Sequence, residues 1–158
     1  MKTTRKADVW WNGGITEGKG AISTQSGALS RFPYGFAARF EDKPGTNPEE
    51  LLAAAHASCF TMALSALLTE ARLVPEELAT SAEVTLEKIE AGYEITGVAL
   101  TVRGRVKDAT AARFSQLAET AKATCPMSKV IRAPITLKAE WLPSRTIEGV
   151  AQAPEKSA

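Results

Sequence analysis

The chain has 158 residues, with 19 Lys and Arg against 18 Asp and Glu, for a formal net charge of +1. At 44% hydrophobic and 23% charged residues, it can bury enough apolar surface to offset the ordering entropy of folding, which excludes an intrinsically disordered chain. The near-neutral balance argues against a nucleic-acid partner, because phosphate contacts demand a basic excess.

The basic start, Met1 to Lys6, runs into Ala7-Asp8-Val9-Trp10 rather than the long apolar run of a secretory signal. The expected compartment is therefore the reducing cytoplasm, where cysteines are more often buried or reactive than permanently bridged. Length and composition predict one domain over residues 1–142. The remainder, 143–158, is small and polar and is expected to be a mobile tail.

The first 41 residues read as short strands at Asp8–Trp11, Lys19–Ser23 and Phe36–Glu41, separated by Asn12-Gly13-Gly14 and Phe32-Pro33-Tyr34-Gly35 turn signals. A helix start follows at Asn47-Pro48-Glu49-Glu50. Asn47 can cap free amides, Pro48 suits the first helical position and the two carboxylates complement the dipole. That helix should run to about Arg72. From Leu51 to Thr69 its side chains are mostly Ala, Leu, Ser and Thr on every face, with His56 the only titrating residue near neutral pH. Such a helix needs cover on nearly all sides. A membrane span is disfavoured by the interspersed His56, Ser58, Thr61, Ser65 and Thr69 and by the lack of basic and aromatic flanks. One short chain has little material to wrap the helix, so a homodimer is expected.

Residues 82–106 read as a hairpin turning at Glu90-Ala91-Gly92, with Val84 and Leu86 on one arm and Val98, Leu100, Val102 and Val106 on the other. Asp108 is the expected cap of a second helix whose apolar stripe is Ala112, Phe114, Leu117, Ala118 and Ala121. Cys125-Pro126 breaks it, and a short helix restarts at Pro126 and runs to about Arg132. The last strand, Ile135–Leu142, puts Ile135, Leu137, Ala139 and Trp141 on one face. The order of elements is that of an α+β fold with no repeating βαβ unit.

Two cysteines and one histidine, with no CxxC spacing, supply no metal site and imply no cofactor. Either cysteine could be a small buried hydrophobe, but their settings are suggestive. Cys59 lies one turn from His56 in the apolar helix, and Cys125 lies at the amino end of a new helix, where the dipole favours a thiolate. A cysteine hydrolase with His56 as base is disfavoured, because neighbours on one helix approach a substrate poorly and no third residue orients the ring. A two-thiol cycle fits better: one thiolate attacks the O–O bond of a peroxide and becomes a sulfenic acid, and the second condenses with it. The attacking thiol then needs a nearby cation to overcome burial. Arg39, in the apolar run Phe36-Ala37-Ala38-Arg39-Phe40, is the candidate, and Glu49 could hold it. A non-enzymatic alternative is a dimeric domain binding an apolar small molecule, with Phe36, Phe40, Met62 and Met127 as the pocket.

The run Gly45-Thr46-Asn47-Pro48-Glu49-Glu50-Leu51, then His56-Ala57-Ser58-Cys59-Phe60, with Cys125-Pro126 and the upstream Tyr34-Gly35-Phe36 and Arg39-Phe40-Glu41, resembles the osmotically inducible protein C family of peroxiredoxins. His56 and Glu50 look more like that branch than its sister, the organic hydroperoxide resistance proteins. The resemblance spans residues 5–142. It implies antiparallel sheets wrapped around two long central helices of an intertwined homodimer, with active sites at the subunit interface. It implies thiol-dependent reduction of organic hydroperoxides, less efficiently of hydrogen peroxide, with a dithiol reductant such as a dihydrolipoyl group. By resemblance Cys59 attacks the peroxide, Cys125 resolves, Arg39 stabilises the thiolate and Glu49 orients Arg39. The same pocket, Phe36, Phe40, Met62 and Met127, would receive the substrate. Local sequence alone points the other way, making Cys125 the more acidic thiol. Arg39 can outweigh its helix terminus: a unit charge about 4 Å away is worth about 4 kcal/mol at an effective dielectric near 20, against about 0.3–2 for the dipole.

Overall fold

The computed structural model describes residues 1–41 and 43–144; the expected mobile tail lies outside them from residue 145 onward. Three short strands open the chain: β1 (Ala7–Asn12), β2 (Lys19–Thr24) and β3 (Phe32–Tyr34). They form an antiparallel sheet in that order. The stretch expected as a turn, Phe32 to Gly35, thus supplies the third strand. The stretch expected as a strand, Phe36–Glu41, is instead a short helix, α1 (Phe36–Phe40). The two readings diverge because both periods put Phe36 and Phe40 on one side, and five residues are too few to separate them. In the helix their rings meet at 4.8 Å, tilted by 46°.

Helix α2 (Pro48–Glu70) begins as expected, with Asn47 Oδ1 accepting from the Glu50 amide at 2.8 Å and Pro48 in the first turn, and it ends two residues before Arg72. It buries a single ridge, His56, Phe60, Leu64 and Leu68, spaced four apart. One side is not covered within the chain: Ala54, Ala55, Ser58, Met62 and Ala66 are exposed, Met62 by 76%. By length and composition alone α2 could cross a membrane, but its buried ridge packs on a sheet and on two other helices.

That sheet is built from β4 (Pro75–Ile89), β5 (Gly92–Val106) and β6 (Ile135–Leu142). The hairpin is longer than its sequence signal, since β4 starts at Pro75. Gly92, at φ 126°, takes the backbone through the left-handed turn. Val98, Leu100, Val102 and Val106 are all buried, and the last three share one core with α2 and α3 (Ala111–Thr124). Gly104 interrupts this row where the Phe114 ring presses on the backbone; a Cβ there would meet it at 2.3 Å. Strand β6 pairs with β5 in parallel, so the α+β class stands but this second sheet is mixed rather than antiparallel. A parallel return needs a crossover, and α3 with α4 (Pro126–Val130) makes it.

Two details of α3 differ from expectation. Thr110, not Asp108, is the cap, accepting from the Arg113 amide. Asp108 takes a left-handed turn at φ 60°, a conformation Asp tolerates, which delays the helix by two residues. Ala112 falls on the exposed side, while Phe114, Leu117, Ala118 and Ala121 are buried as expected. The first sheet makes only marginal contact with the second, leaving Val9 and Trp10 more than half exposed.

Candidate functional site

Two clusters of chemistry-bearing residues lie along α2. At its amino end, Arg39 from α1 grips Glu49 with a two-pronged ion pair, Nε to Oε2 at 3.1 Å and NH2 to Oε1 at 2.7 Å. This geometry needs the helical turn of α1. Arg39 also lies over the Phe40 ring, 5.1 Å from its centroid, and Phe40 meets Tyr93 at 5.1 Å. The hydrogen bond to Glu49 holds the guanidinium firmly protonated, against a modest opposing push from burial. The pair lines an open cleft of about 590 Å³ with Phe40 and Tyr93. Tyr93, at the hairpin turn, carried no signal in the sequence.

The second cluster sits mid-helix. Cys59 is half-buried and Cys125 fully buried, and both thiols are free. They come from α2 and from the junction of α3 and α4, and they are close enough to shift one another's ionisation. Burial pushes the Cys59 thiol up, the Met127 amide partly offsets this, and the neighbouring Cys125 adds to the rise. Burial pushes Cys125 up as well, but the Ser128 amide, the Cys59 thiol, the Ser128 hydroxyl and the Met127 amide outweigh it, so Cys125 ends below its ordinary value. No side-chain cap hydrogen bond of regular geometry forms at Cys125. Within one chain, then, Cys125 is the more acidic thiol, as its local sequence implies.

His56 does not act on Cys59. It is fully buried, and its Nε2 meets Ser128 Oγ at 2.9 Å; burial holds it below its ordinary value. A hydrolase dyad with Cys59 is therefore not built. Ser128 was missed in the sequence, although a hydroxyl three residues after a Cys-Pro helix start was a usable signal.

The chain does not bring Arg39 to Cys59. Glu49 and Cys59 are ten residues apart on one straight helix, which separates them by about 15 Å along the axis and turns them by about 80°. The four pocket candidates are likewise divided. Phe36 and Phe40 share an apolar niche with Trp11 and Tyr34, Met127 packs on the core beside Cys59, and Met62 projects from the uncovered side of α2. Among the described residues no cluster of His, Cys, Asp and Glu could hold a metal.

Known proteins place this arrangement. Residues 40–140 match the family described as OsmC-like protein. The chain is 48% identical over 137 residues to the Escherichia coli (strain K12) protein named peroxiredoxin OsmC, covering 87% of this chain and 96% of that one. The crystal structure of the organic hydroperoxide resistance protein OhrB of Bacillus subtilis superposes with a TM-score of 0.65 at 32% identity, covering 87% of this chain and 98% of that one. A Legionella pneumophila structure, described as an organic hydroperoxide resistance protein OsmC, gives 0.68 at 25% identity over 89% of this chain and 98% of its own. With its fold, its two thiols and these relatives in agreement, the chain belongs to the OsmC-like protein family.

Proposed function

We propose that this protein is a thiol-dependent peroxidase that reduces organic hydroperoxides through a sulfenic acid and disulfide cycle, in defence against oxidative stress. The observation that carries it is the meeting of two free thiols, Cys59 and Cys125, from sequence-distant elements beside an apolar core. The Cys59 thiolate attacks one peroxide oxygen. The O–O bond breaks, the alcohol leaves with a proton, and the sulfur becomes a sulfenic acid. Cys125 then displaces hydroxide from that sulfur to form the disulfide, and two electrons from a dithiol, with a dihydrolipoyl group as the leading candidate, restore both thiols. Hydrogen peroxide is a poorer substrate because it gains nothing from the apolar surroundings of Cys59, where Met127 packs on the core.

The working unit is a homodimer. The uncovered side of α2 and the exposed Val9 and Trp10 of the outlying first sheet support this, since both leave apolar surface for a second copy to cover. A second copy also resolves the electrostatic conflict. Cys59 needs a cation to ionise below its buried value, and its own Arg39 is out of reach. The Arg39–Glu49 pair of one subunit therefore serves Cys59 of the other, and the interface completes each site. Both thiols stay reduced between turnovers in the cytoplasm, the proposed compartment.

Mixing two disabled variants tests the cross-subunit site. Cys59→Ser and Arg39→Ala homodimers should each be inactive with cumene hydroperoxide. After subunit exchange, random pairing should restore about a quarter of wild-type activity, because half the dimers then hold one intact site of two. No recovery despite mass-spectrometric proof of exchange would return Arg39 to its own chain.

A further inference from the structure

His56 is the only histidine of the chain and is fully buried, with Nε2 2.9 Å from Ser128 Oγ and Nδ1 without a hydrogen-bond partner among the described residues. That asymmetry selects a tautomer. A proton on Nδ1 would bury an N–H with no acceptor, a rarer and costlier defect than an idle lone pair. The proton therefore sits on Nε2 and is donated to Ser128 Oγ, which leaves the serine's own proton free to point elsewhere. Burial keeps the ring neutral at physiological pH. Ser128 stands three residues past Cys125 on the first turn of α4, close enough for its amide and hydroxyl to help lower the Cys125 thiol, although no cap hydrogen bond of regular geometry reaches that sulfur. Its other side lines a surface groove with Lys122 and Lys129.

We propose that His56 and Ser128 serve the resolving half of the cycle, as a hydrogen-bond chain His56 Nε2–H to Ser128 Oγ–H to Cys125 Sγ that presents Cys125 as a hydrogen-bonded thiolate. This rests on the reading of Cys125 as the resolving thiol. His56 is a positioning residue, acting only through Ser128, whereas Ser128 touches a reacting atom. In the step itself Cys125 Sγ attacks Cys59 Sγ of the sulfenic acid. The S–S bond forms, the S–O bond breaks, and the departing hydroxide becomes water with the proton that Cys125 has released to solvent through the Ser128 groove. Cys59 sulfur is reduced and Cys125 sulfur oxidised by one unit each. Other ionisable groups near this relay, among the described residues, include Cys59 on α2 and, at the groove, Lys129 and Lys122, the latter paired with Glu119 at 2.6 Å.

The test uses the full-length protein with Ser128→Ala, Ser128→Thr and His56→Gln, the last two keeping a hydroxyl and a donor respectively. In a Cys59→Ser background, iodoacetamide alkylation of Cys125 followed against pH should shift to higher pH for Ser128→Ala and stay in place for Ser128→Thr and His56→Gln. In the two-cysteine protein, rapid mixing with one equivalent of cumene hydroperoxide should leave sulfenic acid formation unchanged in Ser128→Ala while disulfide formation slows about tenfold, the loss of one hydrogen bond to a charged sulfur. An unmoved alkylation profile with an unslowed disulfide phase overturns the proposal. Equal slowing in Ser128→Thr also overturns it, in favour of simple packing. If instead Cys59→Ser alone still reduces peroxide, the thiol assignment itself is wrong, and the proposal falls with it.

Discussion

The two ends of the chemistry on α2 differ in what they hold. Its amino end carries a permanent charge pair, Arg39 and Glu49, in an open cleft with side chains 34% and 14% exposed. Against its middle sit Cys59, Cys125, His56 and Ser128, a largely buried cluster with no Lys, Arg, Asp or Glu of its own, where burial opposes ionisation of Cys59, the proposed attacking thiol. Charge is cheap to keep near water and expensive to keep in the core. Arg39 thus keeps its charge near water, roughly three turns of α2 away from Cys59. In the proposed dimer, assembly would bring the two together, and a lone subunit would have a sluggish nucleophile.

The sharpest way to break this contrast is to remove the sulfur. Cys59→Ser should reduce organic hydroperoxide turnover to background, whereas Cys125→Ser should complete one turnover and then stall as a sulfenic acid trapped by dimedone. Equal steady-state rates for the two would refute the division of roles. Next comes the charge: Arg39→Ala should lower kcat/KM for cumene hydroperoxide about 10²–10³-fold, the typical cost of deleting one preorganised electrostatic contact, and move Cys59 alkylation to higher pH. An unmoved profile would detach Arg39 from the thiol.

Two smaller effects sharpen the same comparison. Asn47→Ala removes the cap beneath the charged end and should cost about 1 kcal/mol of stability by urea unfolding, with the Cys59 pH profile unchanged in the folded dimer. A changed profile would mean that the helix start also tunes the thiol. For the buried cluster, His56 is held below its ordinary value of 6.5 when folded. The unfolded chain therefore binds a proton that the native state refuses, and stability falls as pH is lowered through about 6.5 and levels above it. His56→Gln should abolish that part of the slope; an identical pH dependence in the variant would exclude the imidazole as its source.

The long features were legible in the sequence for physical reasons. Asn47-Pro48-Glu49-Glu50 spells out a helix start in local chemistry, and the Val98 to Val106 alternation repeats often enough to leave one period. The pair Arg39–Glu49 was also readable, although its geometry was not, because a five-residue run with aromatic ends satisfies strand and helix alike. What local pattern could not carry was long-range: the parallel seating of β6, the cover that α2 lacks within one chain, and the convergence of Ser128 on both His56 and Cys125. These depend on where a crossover lands, which no single segment encodes.

That crossover has a consequence for the spent enzyme. Because β6 must return alongside β5, the α3–α4 connection lies over α2 with Cys125 at its bend. Joining Cys125 to Cys59 would tether that arch to the central helix and close a ring of about 66 residues, a constraint worth about 4 kcal/mol through the entropy of the unfolded chain. Each peroxide consumed would thus leave a sturdier molecule behind, one that withstands heat and proteases until a reductant loosens it again.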